Sequence, residues 1–207
     1  MNEQSKACRR RSRDPIFAST YFVGDGLDVG AGADGMSKSA HLFPKITSVR
    51  EWDKADGDAQ FLDGVDDDSY DWLSSSHCLE HLDMPYQAFY NWVRAVRPGG
   101  HLIITVPDWQ LYEHGCWPSR FSGEHRWRFC MTSAAICGQA TGGGPRKPQL
   151  IAVTDLLASV ANESDTVREI ELERLVLIRD YHNPRERGDQ TLMSEAECAI
   201  EFVLRRI

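Results

Sequence analysis

The stretch from Gly26 to Gly35, GLDVGAGADG, constrains the fold more than any other part of the chain. An apolar run carrying one acid, Leu27-Asp28-Val29, enters a turn where Gly30 and Gly32 free the backbone from any Cβ. A strand that ends in such a turn presents backbone to a ligand at the carboxyl edge of a sheet, which is how a nucleotide-cofactor site begins in an α/β protein. Two cofactors stay open at this point. Gly30-x-Gly32-x-x-Gly35 also spells the dinucleotide fingerprint, and Asp53 follows at roughly the 20-residue interval of a ribose-binding acid. Against that reading, the following MSKSAHLFP reaches Pro44 before a long crossover helix can develop.

The rest of the chain alternates in the same style. Ile46–Trp52 is a β-rich run that would present Asp53 at its carboxyl end, and Asp66-Asp67-Asp68 reads as a solvated loop. Tyr70–Ser76 is a short strand running into His77-Cys78-Leu79-Glu80-His81-Leu82. The spacing of Tyr86, Phe89, Trp92, Val93 and Val96 predicts a helix over 85–96, stopped by Pro98-Gly99-Gly100. His101–Val106, HLIITV, reads as a buried strand. Then the pattern breaks, and Trp109, Tyr112, Trp117, Phe121, Trp127 and Phe129 alternate with histidines and arginines up to about Pro148. Such an aromatic, charged segment after a sheet's ligand edge suits a substrate pocket. Gly142-Gly143-Gly144-Pro145 reads as a flexible loop, 153–162 as an amphipathic helix, and 166–177 and 196–206 as a closing pair of strands. The expected fold is α/β: a Rossmann-like, doubly wound, mostly parallel sheet of about seven strands with an antiparallel C-terminal hairpin strand. Residues 1–20 are expected to be a basic, flexible arm, and 21–207 one domain with an aromatic-rich insertion at about 109–150.

Composition narrows the class of function. The net charge is −8 although Lys6, Arg9, Arg10, Arg11 and Arg13 crowd the first thirteen residues, so the body is strongly acidic. Nucleic acid is therefore a disfavoured partner, because phosphate contacts supply most of that affinity. No apolar run approaches the ~20 residues of a membrane span, nor does one follow the basic arm as a secretion signal requires. No membrane association and a cytoplasmic location are expected. Cys8, Cys78, Cys116, Cys130, Cys137 and Cys198 form no C-x-x-C pair, which fits reduced thiols. The nearest approach to metal spacing, His77-Cys78-x-x-His81, has no second ligand pair, so no metal is expected.

With these pieces in order, the chain resembles the class I S-adenosylmethionine-dependent methyltransferases, in particular their type 11-like small-molecule branch. Asp28-Val29-Gly30-Ala31-Gly32, Leu79-Glu80-His81-Leu82 and Arg97-Pro98-Gly99-Gly100 carry the resemblance, which spans roughly residues 24–108. It implies S-adenosylmethionine as cofactor. It also implies that Gly30, Ala31 and Gly32 pass along the methionine and ribose part and that Asp53 takes both ribose hydroxyls. Asp58 and Ala59 would lie at the adenine, and Ser76 and His77 under the methionine end. Asp28 would either hold the turn or meet the cofactor's ammonium. The pattern is broken in two places, by Asp34 at a position where many members carry a third glycine and by the short first helix.

The resemblance makes the chain an enzyme, a methyltransferase acting on a small metabolite or glycan-type acceptor, with oxygen as the expected methylated atom. His125 and His81 are the expected bases for a hydroxyl acceptor, and Trp109, Tyr112, Trp117 and Arg120 the expected acceptor contacts. The alternatives are a non-catalytic S-adenosylmethionine-binding module and a nicotinamide-dependent oxidoreductase. The Asn-Pro-Pro-aromatic signature of enzymes that methylate nucleic-acid bases is missing, Ser74-Ser75-Ser76-His77 standing in its place.

Overall fold

The computed structural model of the chain describes residues 3–113, 115–119, 122–132, 149–162, 170–179 and 197–207. The glycine-rich turn closes β1 (Gly24–Val29), which pairs in parallel with β2 (Ile46–Trp52) on one side and β3 (Tyr70–Ser76) on the other. Helix α2 (Pro85–Ala95) leads to β4 (Val96–Pro107), parallel to β3. The Arg97–Gly100 turn interrupts that pairing, so the regular register begins at Trp72 opposite His101. Beyond α3 (Val153–Asn162), β7 (Ile170–Arg179) and β8 (Cys198–Arg206) are antiparallel to each other, and β8 is antiparallel to β4. The resulting six-stranded sheet has the order β2-β1-β3-β4-β8-β7.

Side-chain alternation along the central strands divides the core into two layers. Leu102 and Ile104 of β4 join Leu27, Leu73, Phe89 and Trp92 beneath α2 and α3, whereas Ile103 joins Trp72, Phe22 and Phe43 on the opposite face. Both layers are buried, which explains the apolar run Leu102-Ile103-Ile104: the central strand β4 is covered on both faces. Tyr86 alone of the predicted helical face lies at the rim, 41% exposed.

The structure departs from the sequence expectation in four places. First, the sheet counts six strands among the described residues, where about seven were expected. Residues 53–69 fold into turns, and the Arg94 guanidinium donates to the carbonyls of Phe61, Leu62 and Val65, holding the segment against α2 instead of beside β2. This leaves β2 at the sheet edge, where Arg50 and Glu51 discourage further pairing. Second, no α-helix joins β1 to β2; three successive 3-10 turns, Gly32–Asp34, Met36–Lys38 and Ala40–Leu42, make the crossover.

Third, the basic N-terminus is not a loose arm. Residues Glu3–Arg11 form helix α1, docked on the face opposite α2. Arg11 is 1% exposed, with Nε donating to Glu201 Oε2 at 2.8 Å and a terminal nitrogen donating to Thr105 Oγ1 at 2.7 Å. Arg10 bridges Glu197 and Glu201, both at 2.7 Å. Asp34, standing where a third glycine was expected, accepts from the Ser5 amide at 2.8 Å and from the Ser5 hydroxyl, so it caps α1 from outside. Fourth, the aromatic insertion carries β5 (Trp127–Cys130), paired in parallel with β6 (Gln149–Ala152) as a separate two-stranded sheet. The loop expected at 142–145 lies outside the described residues. No helix among them is long and apolar enough to cross a membrane, and the five described cysteines are free thiols.

Candidate active site

At the carboxyl end of β1 the amides of Gly30 and Ala31 both donate to the Trp52 carbonyl, at 2.8 and 3.3 Å, tying the turn to the end of β2. Gly30 has φ +79°, and a Cβ there would meet Cys78 Cβ and Sγ at 2.6 Å; Gly32 has φ +51°, and a Cβ there would meet nothing within 4 Å. The first glycine thus permits contact with the segment after β3, and the second leaves room beside the backbone. Asp28 uses its carboxylate to hold this geometry. Oδ2 accepts from the Met36 amide at 2.7 Å, and Oδ1 from Ser74 Oγ at 2.6 Å and, weakly, from Gln4 at 3.4 Å. Burial raises its pKa to about 6 despite these bonds.

Asp53 follows β2 directly, and its amide donates to Asp56 Oδ2 at 3.0 Å. Its own carboxylate has no hydrogen bond among the described residues. Asp58 is exposed, accepting from the Gln60 amide at 2.8 Å, and the neighbouring Ala59 carbonyl accepts from Trp92 Nε1 at 2.8 Å. Ser76 ends β3 with a buried hydroxyl that has no partner among the described residues.

The histidines meet just beyond. His77, at φ +54°, turns the chain into the short 3-10 segment Leu79–His81. Glu80 is fully buried, and neither carboxylate oxygen has a hydrogen-bond partner among the described residues. Around its Oε1 stand His77 Nδ1 at 3.4 Å, His81 Nε2 at 3.9 Å and His125 Nε2 at 4.0 Å. Burial alone would raise the Glu80 pKa, but His77 above all, then His81 and His125, hold it below the usual carboxylate range. Burial alone would lower that of His77, and Glu80 overrides it to give a raised value. His81, less compensated, is lowered by burial.

His125 comes from the aromatic segment, tethered where the Arg126 amide donates to the Glu80 carbonyl at 2.8 Å and Trp127 Nε1 donates to the Leu82 carbonyl at 2.7 Å. Its Nδ1 lies 2.6 Å from Glu113 Oε1, and both side chains are almost fully buried. With the proton on Nδ1 facing that carboxylate, Nε2 keeps its lone pair for chemistry on the other side of the ring. Tyr112 lies between two imidazoles, its ring centroid 5.5 Å from that of His77 and 6.1 Å from that of His125.

The family model described as a methyltransferase domain matches residues 27–104, the span from the end of β1 through β4. That span, 78 of the 207 residues, is similar to a methyltransferase domain. Solved structures share the chain's fold at low identity. A protein from Listeria monocytogenes assigned as an S-adenosylmethionine dependent methyltransferase superposes with TM-score 0.58 at 10% identity, covering 99% of this chain and 98% of that one. A chain of the complex between the Haloferax volcanii Trm112 methyltransferase activator and its assigned methyltransferase gives TM-score 0.58 at 13% identity, over 98% and 92% of the two chains. The [4+2]-cyclase SpnF gives 0.54 at 15% identity, over 99% and 83%. A cyclase among these neighbours illustrates that the fold alone does not set the reaction. No curated protein sequence matches the chain.

Of the residues expected at the site, Gly30, Ala31, Gly32, Asp53, Ser76 and His77 follow directly from the ends of β1, β2 and β3. His81 and His125 face each other with ring centroids 4.7 Å apart. Of the two roles expected for Asp28, its contacts fill the holding of the turn: it is 2% exposed and accepts from Met36 and Ser74. One expectation needs correction. Trp109 is 3% exposed and packs with Cys130, Ala152 and Leu150 under the Arg128 guanidinium, so it builds the insertion's own small core and is not an acceptor contact. Trp117 is half-buried, 5.8 Å from the same guanidinium, and Arg120 lies outside the described residues. Sequence reasoning missed Glu80 and Glu113 as partners of the histidines. Glu80 was visible within Leu-Glu-His-Leu, but only as a motif letter, and nothing in the sequence pairs Glu113 with a histidine twelve positions away.

Proposed function

We propose that the chain is an S-adenosylmethionine-dependent methyltransferase that methylates an oxygen of a small acceptor, a metabolite or glycan precursor bound between the Leu79–His81 segment and the aromatic insertion. The observation that carries the reading is the buried His125–Glu113 pair, 2.6 Å apart, whose imidazole turns its other nitrogen toward Glu80 and His81. Cys78 connects this cluster to the cofactor turn, because Gly30 packs against it.

The residues present fit the cofactor. Gly32 leaves open space, Asp53 keeps two acceptor oxygens for two adjacent ribose hydroxyls, and Ser76 keeps an unpaired buried hydroxyl. Gly30, Ala31 and Gly32 would border the methionine and ribose part, Asp58 and Ala59 the adenine, and Ser76 and His77 the methionine end. The cofactor supplies a methyl group on a sulfonium with a neutral leaving group. The chain's task is then to align the acceptor and exclude water, and alignment of this kind contributes about 7–11 kcal/mol. For a hydroxyl acceptor, the neutral imidazole of His125 or His81 takes the proton as the oxygen takes the methyl group, an effect of about 10²–10⁴-fold. Tyr112 and Trp117 offer ring faces that suit a sugar or an aromatic acceptor.

An acceptor screen with purified protein tests this. His125→Ala is expected to lower kcat for a hydroxyl acceptor by about 10²-fold or more while S-adenosylhomocysteine affinity stays unchanged. Unchanged turnover in the variant would remove the cluster from catalysis.

A further inference from the structure

The Glu80 carboxylate is fully buried, without a hydrogen bond among the described residues, and ringed by imidazoles at 3.4–4.0 Å. Direct charge-assisted hydrogen bonds would draw these atoms to about 2.7–2.9 Å. At 3.9 and 4.0 Å, His81 Nε2 and His125 Nε2 stand too far for that and flank the carboxylate as ligands flank an ion. One ligand atom from each of Glu80, His81 and His125 lies within 4.8 Å of the other two. Bond lengths of about 2.0–2.1 Å in a tetrahedral zinc site put neighbouring ligand atoms about 3.3 Å apart. The two distances to Glu80 thus need to contract by roughly 0.6–0.7 Å and the remaining pair by at most roughly 1.5 Å.

We infer that Glu80, His81 and His125 form a binding site for a divalent transition metal ion of the zinc type. Two independent features support it beside the cluster. The Glu80 carboxylate is fully buried and makes no hydrogen bond among the described residues, and its Oε1 stands within 4.0 Å of His81 and His125. Glu113, 2.6 Å from His125 Nδ1, supplies the carboxylate that metal-bound histidines usually hold on their far nitrogen, which fixes the ring with Nε2 inward. The donor set of two imidazoles and one carboxylate is a borderline-soft one that selects zinc-like ions over magnesium or calcium. Three protein ligands leave a fourth position, and by the reading of this pocket given above that position belongs to the acceptor oxygen. With the ion bound, these imidazoles serve as ligands in place of acting as bases: the ion polarises the acceptor oxygen, lowers the pKa of its hydroxyl, and the proton passes to solvent water. This departs from the sequence expectation, which looked for cysteine and histidine at short spacing; the ligands come instead from one adjacent pair and a histidine more than forty residues on.

The test is metal content and cobalt spectroscopy on the full chain, stripped with chelator and titrated with Zn²⁺ or Co²⁺ alone. One equivalent of metal is expected, with the visible d–d bands of low-coordinate Co²⁺. Glu80→Gln, His81→Ala and His125→Ala are each expected to weaken Zn²⁺ binding at least tenfold, whereas His77→Ala, which removes the imidazole outside the ligand set, keeps it. S-adenosylhomocysteine titration of the same variants separates the two readings. Lost metal with retained cofactor binding supports the site, and a failure to turn over hydroxyl acceptors with metal binding intact would sink only the acceptor assignment. Should the variants not fold, the wild-type cobalt spectrum decides: a six-coordinate spectrum, or no binding, overturns the inference. So does metal binding that survives all three ligand substitutions.

Discussion

Replacing Glu201 by glutamine probes the interaction that turns the basic N-terminus into a structural element. Glu201 is fully buried on β8 between three arginines: Arg11 Nε at 2.8 Å, Arg10 at 2.7 Å and Arg174 Nε at 3.4 Å. Burial works against its charge, yet Arg11 and then Arg10 bring its pKa down from 4.5 to about 2. At 1.36 kcal/mol per unit this shift contributes about 3 kcal/mol at neutral pH, matching the ~3–5 kcal/mol typical of removing one partner of a buried pair. The depressed value fixes the sign. The contribution is fully present above the unfolded pKa and fades as pH falls through the folded one, so about 2 kcal/mol of it disappears between pH 6 and pH 3. Urea unfolding of wild type and Glu201→Gln at these two pH values measures it. At pH 6 the variant is expected to be less stable by about 3 kcal/mol, equivalent to about 6–12 °C in Tm for a chain of this size. At pH 3 the gap narrows to about 1 kcal/mol. A gap under 1 kcal/mol at pH 6, or one that does not narrow on acidification, would refute the assignment of α1 as an element locked by charge.

Other substitutions probe the cofactor turn and the helix cap. Asp28→Asn removes a carboxyl whose folded pKa is raised to about 6, a shift that favours the folded state below pH 4 and is lost as pH rises through 6. Thermal melts should therefore show the variant gaining on wild type between pH 5 and pH 8, with cofactor affinity little changed; a steep loss of affinity would return Asp28 to the cofactor. Gly30→Ala imposes a left-handed φ on a residue with a Cβ and drives that atom into Cys78. A loss of about 1–3 kcal/mol in stability and weakened S-adenosylhomocysteine binding are expected by melt and calorimetry, and a neutral outcome would contradict the close approach. Asp34→Ala removes the carboxylate that caps α1, and a loss of about 1 kcal/mol in urea unfolding is expected.

The parallel half of the sheet was legible because each strand ends in a chemical signal: Gly30 after β1, Asp53 after β2, His77 after β3 and the Pro98–Gly100 turn before the regular part of β4. Local pattern carries that information. What it does not carry is pairing across the chain. Arg11 and Glu201 lie 190 positions apart, so a basic segment that looked solvated is buried by an acid on the last strand. Ser5 and Asp34 meet in the same manner, which turns a break in the glycine pattern into a cap. The sheet has no strand in 53–69 because Arg94 takes up the carbonyls of that segment, a role no periodicity announces. At the site itself the histidines were visible as candidates, but the carboxylates that orient them, Glu80 and Glu113, became visible only once β5 carried His125 back onto the Leu79–His81 segment.

Calorimetric titration addresses the cofactor site built on the glycine turn and Asp53. S-adenosylmethionine and S-adenosylhomocysteine are expected to bind one per chain and NAD not at all. Asp53→Ala is expected to weaken both by about 10- to 100-fold through the loss of charge-assisted hydrogen bonds to the ribose. Silence with both sulfur cofactors, or binding of NAD in their place, would contradict the account.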